Sequence, residues 1–543
     1  MGNLTKEYDV LIKEGMIVDG TGNPYFKGDI GIKNKKIVQV GSDLGGDALR
    51  VIDAKGRVVA PGFIDLHNHS DMTILAVPSA ESYVMQGVTT AVVGNCGLSM
   101  GPTNPDKVSL LKEYLLPFLA PGYDYGWDWK TSGEYFKKVE ERGIALNLAP
   151  LVGQGTLRIA VKGFDSGEPT KEELDEMKNL LRQDIRDGAW GLSTGLIYPP
   201  GSYSTTQELI ELAKVLKEFP IRLIYTSHIR NEGNKLMESV EEAIRIGEEA
   251  GIPVEISHHK ASGKHNWGKV NATLREMKKA RDRGVEVNCD VYPYIAGSTS
   301  IPSLLPGWVL VGGMGEAVKR LKNEEMRKRI KETIEKDTFE EGEDWIKACG
   351  WEGIHIATCA IAPEYEGKSL KEILGKSEDI YKSFFDWLVS IELKATMVIF
   401  FGQEEDMETI LRSPLSSVIS DAWATAPRIG GKPHPRAYGT FPRVLGRYVR
   451  ERRVLTLEEA IRKMTSLPAG KLGLQDRGLI RQGFSADIVI FDPEEILDTA
   501  TYEDPTQYPV GIDYVLVNGQ VVAEQGKYTG VLPGKILRNP LTT

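Results

Sequence analysis

Short apolar runs alternate with segments in which apolar residues recur three and four positions apart, and this alternation extends through the middle of the chain. The runs that read as strands are Phe63 to His69, Thr89 to Cys96, Ile144 to Leu151, Gly188 to Thr194, Arg222 to His228, Val254 to His258, Val285 to Tyr292 and Ser417 to Asp421. Helical spacing fills several of the gaps, as in Lys171 to Asp187 and Ser239 to Ala250. Repeated strand-helix alternation predicts parallel α/β architecture, and a count of eight predicts a TIM-type (β/α)8 barrel with catalytic residues at the C-terminal strand ends. Most of these runs do end in polar, chemistry-bearing residues.

The two ends of the chain have a different texture. Tyr8 to Ile12, Gly28 to Ile32, Lys36 to Val40 and Arg57 to Ala60 read as short strands separated by turns. Ala486 to Phe491 and Val515 to Val522 repeat that texture, with a hairpin signal at Asn518-Gly519. Neither set can close a core alone. The expectation is one small β-sandwich built from residues 1–60 and 476–543, with a barrel domain, 61–475, inserted between them. Between the seventh and eighth strands lie roughly 125 residues, too many for a plain loop, so an insertion at about 296–395 is expected to act as a lid or substrate wall.

Composition narrows the class of molecule. In 543 residues, 41% hydrophobic and 26% charged, the balance is that of a globular enzyme with ample core material. A net charge of −10 speaks against binding a nucleic-acid backbone. No apolar run reaches membrane-spanning length, and Met1 to Lys6 carry neither an apolar signal core nor, with Lys6, a myristoylation signal. Four cysteines, at 96, 289, 349 and 359, form no Cys-x-x-Cys pair, so a reducing cytoplasm is expected rather than a disulfide framework. The expected partner is a small molecule, with oligomeric state left open.

The strand-end residues make a coherent chemical set. His67 and His69 stand two apart on an extended run, on one side of the backbone, where both can reach one metal ion. Cys96, His228, His258 and Asp421 occupy matching strand ends, and together the six form a zinc-type ligand set. Cys96 as a thiolate could bridge two ions or anchor one, with His228 and His258 at one site and His67, His69 and Asp421 at its neighbour. Asp421, placed near an acidified water, could act as general base and proton shuttle. His259 points to the other strand face and reads as a packing residue, while His265, His355 and His434 lack matched partners.

The motif Gly62-Phe63-Ile64-Asp65-Leu66-His67-Asn68-His69, with this ligand order, resembles the amidohydrolase superfamily. Many members bridge their metals with a carboxylated lysine on the fourth strand, and Gly188 to Thr194 contains no lysine. That absence, with Gly94-Asn95-Cys96-Gly97, Asp290-Val291-Tyr292-Pro293-Tyr294 and His434-Pro435-Arg436, makes the chain similar to the N-acyl-D-amino-acid deacylase branch, the D-aminoacylases. The resemblance implies one or two zinc ions. Cys96, His228 and His258 would form the firmer site, and His67, His69 and Asp421, sharing Cys96, the weaker. It also implies that Lys260, Tyr292, Ser298 and Arg436 bind substrate, the last three holding its carboxylate. An arginine fork with hydroxyl donors suits a carboxylate. A dipeptidase acting on D- or unusual dipeptides, a cyclic amidase, and a catalytically silent scaffold are the alternatives to be weighed.

Overall fold

The computed structural model describes residues 6–337, 339 and 342–542. Apart from Lys6, the N-terminal segment read above lies outside the described residues. The chain opens with β1 (Tyr8–Ile17), β2 (Phe26–Lys33), β3 (Lys36–Gly41), β4 (Ala48–Asp53) and β5 (Val58–Pro61). It then enters a parallel series: β6 (Phe63–Asp65), β7 (Val88–Val93), β8 (Asn147–Pro150), β9 (Val152–Gly153), β10 (Gly191–Gly195), β11 (Ile224–His228), β12 (Val254–Ile256) and β13 (Val287–Val291). The insertion contributes β14 (Ala296–Ser300), β15 (Ile354–Thr358) and β16 (Thr396–Phe400), and the parallel series resumes with β17 (Ser416–Val418). The chain finishes with β18 (Ile488–Phe491), β19 (Ile512–Val517), β20 (Gln520–Glu524) and β21 (Lys527–Tyr528).

The two ends of the chain share one sheet, ordered β21-β20-β19-β18-β5-β1-β2-β3 with β4 beside β1. The join is an antiparallel pair, β5 against β18, from Val58 opposite Phe491 to Pro61 opposite Ile488. At the predicted hairpin, Val517 pairs with Gln520 while Asn518 and Gly519 both take positive φ, 47° and 76°. That is the left-handed pair a two-residue turn needs to match strand twist. β4, a half-exposed strand, had no clear periodic signature and was not anticipated.

The parallel strands form two ladders, β6-β7-β8 and β9-β10-β11-β12-β13-β17. Only Leu151 separates β8 from β9, and its N–H bonds Val93 O at 2.8 Å. β6 and β17 meet beyond their ends, where Asp421 N donates to His67 O (3.0 Å) and His69 N to Ala422 O (2.8 Å). β7, Val-Thr-Thr-Ala-Val-Val, is buried throughout, as expected of a β-branched strand covered on both faces. A covering helix, Lys171–Arg186, starts with a capping box at Thr170 and Glu173 and buries Met177, Leu181 and Ile185.

The strands stop earlier than the apolar runs suggest. β6, β7, β12 and β17 end at Asp65, Val93, Ile256 and Val418, so His67, His69, Cys96, His258 and Asp421 lie just beyond the ladders. Cys96, His258 and Asp421 have φ of 52°, 36° and 51°, which no regular strand accommodates. The insertion folds as an antiparallel sheet, β14-β16-β15, whose last strand runs to Phe400, packed with helices such as Met314–Lys322 and Ile380–Ser390. Towards the opposite strand ends, Lys471 Nζ donates to Glu255 Oε1 (2.7 Å), Cys289 O (2.8 Å) and Leu415 O (2.9 Å). Lys463 Nζ likewise donates to Ser413 O and to Ser416 O (3.1 Å).

Candidate metal centre

The loops that carry the strand-end residues are held by buried polar groups. Asp65 receives Ser420 N (3.0 Å), Ser420 Oγ (2.5 Å) and Asn68 Nδ2 (2.8 Å), so the end of β6 is tied to the segment after β17. Burial dominates those bonds and pushes the Asp65 carboxyl up to about 6. Gly94, at φ 80°, starts the cysteine loop where a Cβ would lie 2.3 Å from Leu151 O, so glycine is required there. Asp290 receives the backbone N–H of His258 and fixes the turn after β12. Three non-glycine residues in the left-handed region at one rim mark stored strain of the kind found at functional sites.

These turns bring four ligand atoms together. His67 Nε2 lies 3.2 Å from Cys96 Sγ and 3.4 Å from Asp421 Oδ1, and Cys96 Sγ lies 3.5 Å from His258 Nε2. All four are buried and lie within 4.8 Å of one another. Tetrahedral donors at zinc-ligand bond lengths are about 3.3–3.8 Å apart, so the set is near coordination spacing. His69 Nε2 joins from the side, 3.3 Å from Asp421 Oδ1. His228 is placed differently from the expected grouping: its ring stacks edge-on against His258 at 4.3 Å, and it clusters with His258 and Glu232 rather than with Cys96.

The donor set fits a metal on chemical grounds. Neither ring nitrogen of His228 has a hydrogen-bond partner among the described residues, although both are buried. Buried polar atoms left unpaired are costly, and a cation would pair these. Burial is the main cause that holds His67, His228 and His258 well below the usual histidine range, which keeps their lone pairs free. Burial, then the charge of Asp421, pushes the Cys96 thiol up, an effect that a bound cation reverses. For Asp421 burial acts upward, but Arg436 and the neighbouring histidines outweigh it and hold the carboxyl well below its usual range.

The expected substrate residues line the same cavity. Arg436 Nη1 pairs with Asp421 Oδ2 at 2.8 Å and its Nη2 donates to Ser298 O at 3.3 Å. Its guanidinium lies 4.7 Å from the Tyr292 ring centre. Arg436 is 2% exposed, yet its Nε has no hydrogen-bond partner among the described residues. Lys260 Nζ donates to Glu232 Oε1 at 2.5 Å and stands 2.8 Å from His258 Nδ1. Glu232 was missed by sequence reasoning. It lies 2.9 Å from His258 Nδ1, where it can receive the ring N–H and leave Nε2 facing the cysteine. Its only signal is four-residue spacing from His228, in a loop without periodicity.

The remaining histidines stand apart from the cluster. His259 bonds Thr273 Oγ1 (2.7 Å), His355 the Glu352 carbonyl (3.1 Å), His265 Asn234 Oδ1 (2.6 Å) and His434 the Ala296 carbonyl (3.0 Å). His434 also accepts Arg436 N–H at 3.0 Å and so helps to place that arginine. All four cysteines are free.

The sequence profile of the amidohydrolase family matches residues 50–358 and 396–523. The D-aminoacylase of Alcaligenes xylosoxydans xylosoxydans is 35% identical, over 98% of this chain and 98% of its own length. An N-acyl-D-glutamate deacylase of the same organism is also 35% identical, over 98% and 97%. The crystal structure of N-acyl-D-glutamate deacylase from Bordetella bronchiseptica, complexed with zinc and a phosphonate inhibitor mimicking the tetrahedral intermediate, superposes with a TM-score of 0.81. It is 34% identical, over 98% of this chain and 100% of that one.

Proposed function

The chain belongs to the amidohydrolase family, and from that premise we propose that it is a zinc-dependent deacylase of N-acyl-D-amino acids, releasing a carboxylate and a free D-amino acid. One observation carries this reading. A four-atom ligand set at zinc spacing and a buried arginine with an unpaired Nε meet on the same carboxylate, Asp421. His67, His69, Cys96, His228, His258 and Asp421 would hold one or two zinc ions. Zinc, when bound, supplies a Lewis acid for the scissile carbonyl and lowers the pKa of water.

In the hydrolysis the oxygen of water joins the acyl carbon, the C–N bond breaks, and the leaving nitrogen takes up the proton that water gives. Asp421 moves that proton. Arg436, 2.8 Å from its Oδ2, keeps it ionised, so that its carboxylate can take the proton from water and hand it to the leaving nitrogen. Arg436 Nε, with Tyr292, Ser298 and Lys260 around the cavity, is left for the substrate carboxylate. Residues 61–475 are taken as the catalytic barrel, closed by the bonds between Asp421 and His67 and between His69 and Ala422, with the insertion at about 296–395 as substrate wall. Residues 1–60 and 476–543 are taken as the β-sandwich. Free cysteines and a thiolate ligand suit a cytoplasmic setting.

With the carboxylate pinned by Arg436 and the carbonyl by the metal, the side chain has one direction left. N-acyl-D-amino acids should therefore exceed their L forms in kcat/KM by roughly two orders of magnitude or more. Arg436→Ala should damage these substrates far more than a neutral amide lacking the carboxylate. Equal rates on D and L forms, or indifference to the arginine, would put a dipeptidase or cyclic amidase ahead.

A further inference from the structure

A second pocket adjoins the catalytic one, and the two share a wall made by Leu98, Phe118, Ile197 and Tyr198. Beyond that wall the chamber is lined by side chains such as Phe164, Leu305, Leu310 and Met314, and among the described residues no charged group lines it. Neither the ligand set nor the carboxylate anchor needs such a space. Apolar walls are better covered by an apolar group than by water, so the chamber suits an apolar occupant.

Its position says which part of a substrate that occupant is. Leu98 follows Cys96 by two residues, and the Tyr198 ring meets His228 edge-on at 5.2 Å, so the shared wall stands on the ligand side, next to the scissile carbonyl. The cavity's other apolar wall, Trp345, Ile399 and Phe401, stands on the anchor side, where Ile399 pairs with Gly297, the neighbour of Ser298. An N-acyl-amino acid has two free substituents. The acyl chain grows from the carbonyl, and the side chain from the carbon that bears the carboxylate.

We propose that the apolar chamber receives the acyl chain, so that the favoured substrates carry medium-length or longer saturated acyl groups, with the amino-acid side chain against the Trp345 wall. The proposal rests on the deacylase reading above. It is tested on the zinc-loaded enzyme with N-acetyl-, N-hexanoyl- and N-decanoyl-D-leucine. Each methylene moved out of water is worth a factor of roughly three to four, and ordering of the chain offsets part of it, so kcat/KM should rise by at least about tenfold from acetyl to hexanoyl. Ser303→Phe and Met314→Trp fill the chamber at half-buried positions away from the ligands, and each should cut the hexanoyl-to-acetyl ratio at least fivefold. A flat or falling series, with acetyl-D-leucine still turned over, overturns the chamber assignment alone. So would variants that change the D-leucine-to-D-alanine ratio while sparing the acyl ratio, since the chamber would then hold the side chain. No turnover of any N-acyl-D-amino acid sinks the deacylase reading and the chamber proposal with it.

Discussion

Lys471 and His228 are both buried at the parallel strands, yet the lysine ammonium meets three acceptors within 2.9 Å, whereas neither imidazole nitrogen meets any partner among the described residues. The contrast holds for most of their surroundings, Glu255 Oε2 being the unpaired exception among the Lys471 contacts. Around Lys471 and Lys463 the acceptors are mainly backbone carbonyls, and these groups knit the strands to the two helices, Leu457–Met464 and Ser466–Leu472, that carry the lysines. Around His228 the ligand residues adopt left-handed backbone at Cys96, His258 and Asp421, and unpaired nitrogens recur at His67, His69 and Arg436. Buried polarity that is satisfied stabilises a fold, and buried polarity that is strained and unpaired awaits a ligand. One end of the strands is thus organised for stability and the other for binding.

If that division is right, the two ends respond to different measurements. Lys471→Met should cost about 3–5 kcal/mol, because Glu255 and two carbonyls lose a buried cation. Denaturant unfolding reads that loss, while zinc bound per folded chain should stay unchanged. Loss of zinc at normal stability would break the comparison.

A smaller effect sharpens it. Burial holds Lys463 down to about 8, below its unfolded value near 10.5. Below pH 8 both states carry the charge and the burial penalty is complete. Between pH 8 and 10.5 the unfolded chain binds the extra proton, so raising the pH favours the folded state. Wild type should gain about 1–3 kcal/mol relative to Lys463→Met across that interval. Parallel stability curves for the two proteins would show that Lys463 does not titrate as a buried amine.

The binding end was the more legible of the two in sequence. His67, His69, Cys96, His228, His258 and Asp421 each follow an apolar run, so strand periodicity alone marks where they fall. The grouping was less legible. His228 lies with Glu232 and His258 rather than Cys96, because the turn geometry after each strand, not the order along the chain, decides which atoms meet. Glu232 owes its place to tertiary packing and carries no periodic signal. β14, Ala-Gly-Ser-Thr-Ser, is too polar to announce a strand and is held by pairing with Thr396–Phe400.

On this reading the unpaired end is built to hold a metal around Cys96. The most direct measurement is the zinc content of purified Cys96→Ala beside wild type, with the stability of both proteins taken after chelation. Bound zinc should fall severalfold and turnover by at least two orders of magnitude, while metal-free stability stays within about 1 kcal/mol, the cost of a small cavity. A variant that keeps full zinc and normal turnover would contradict it.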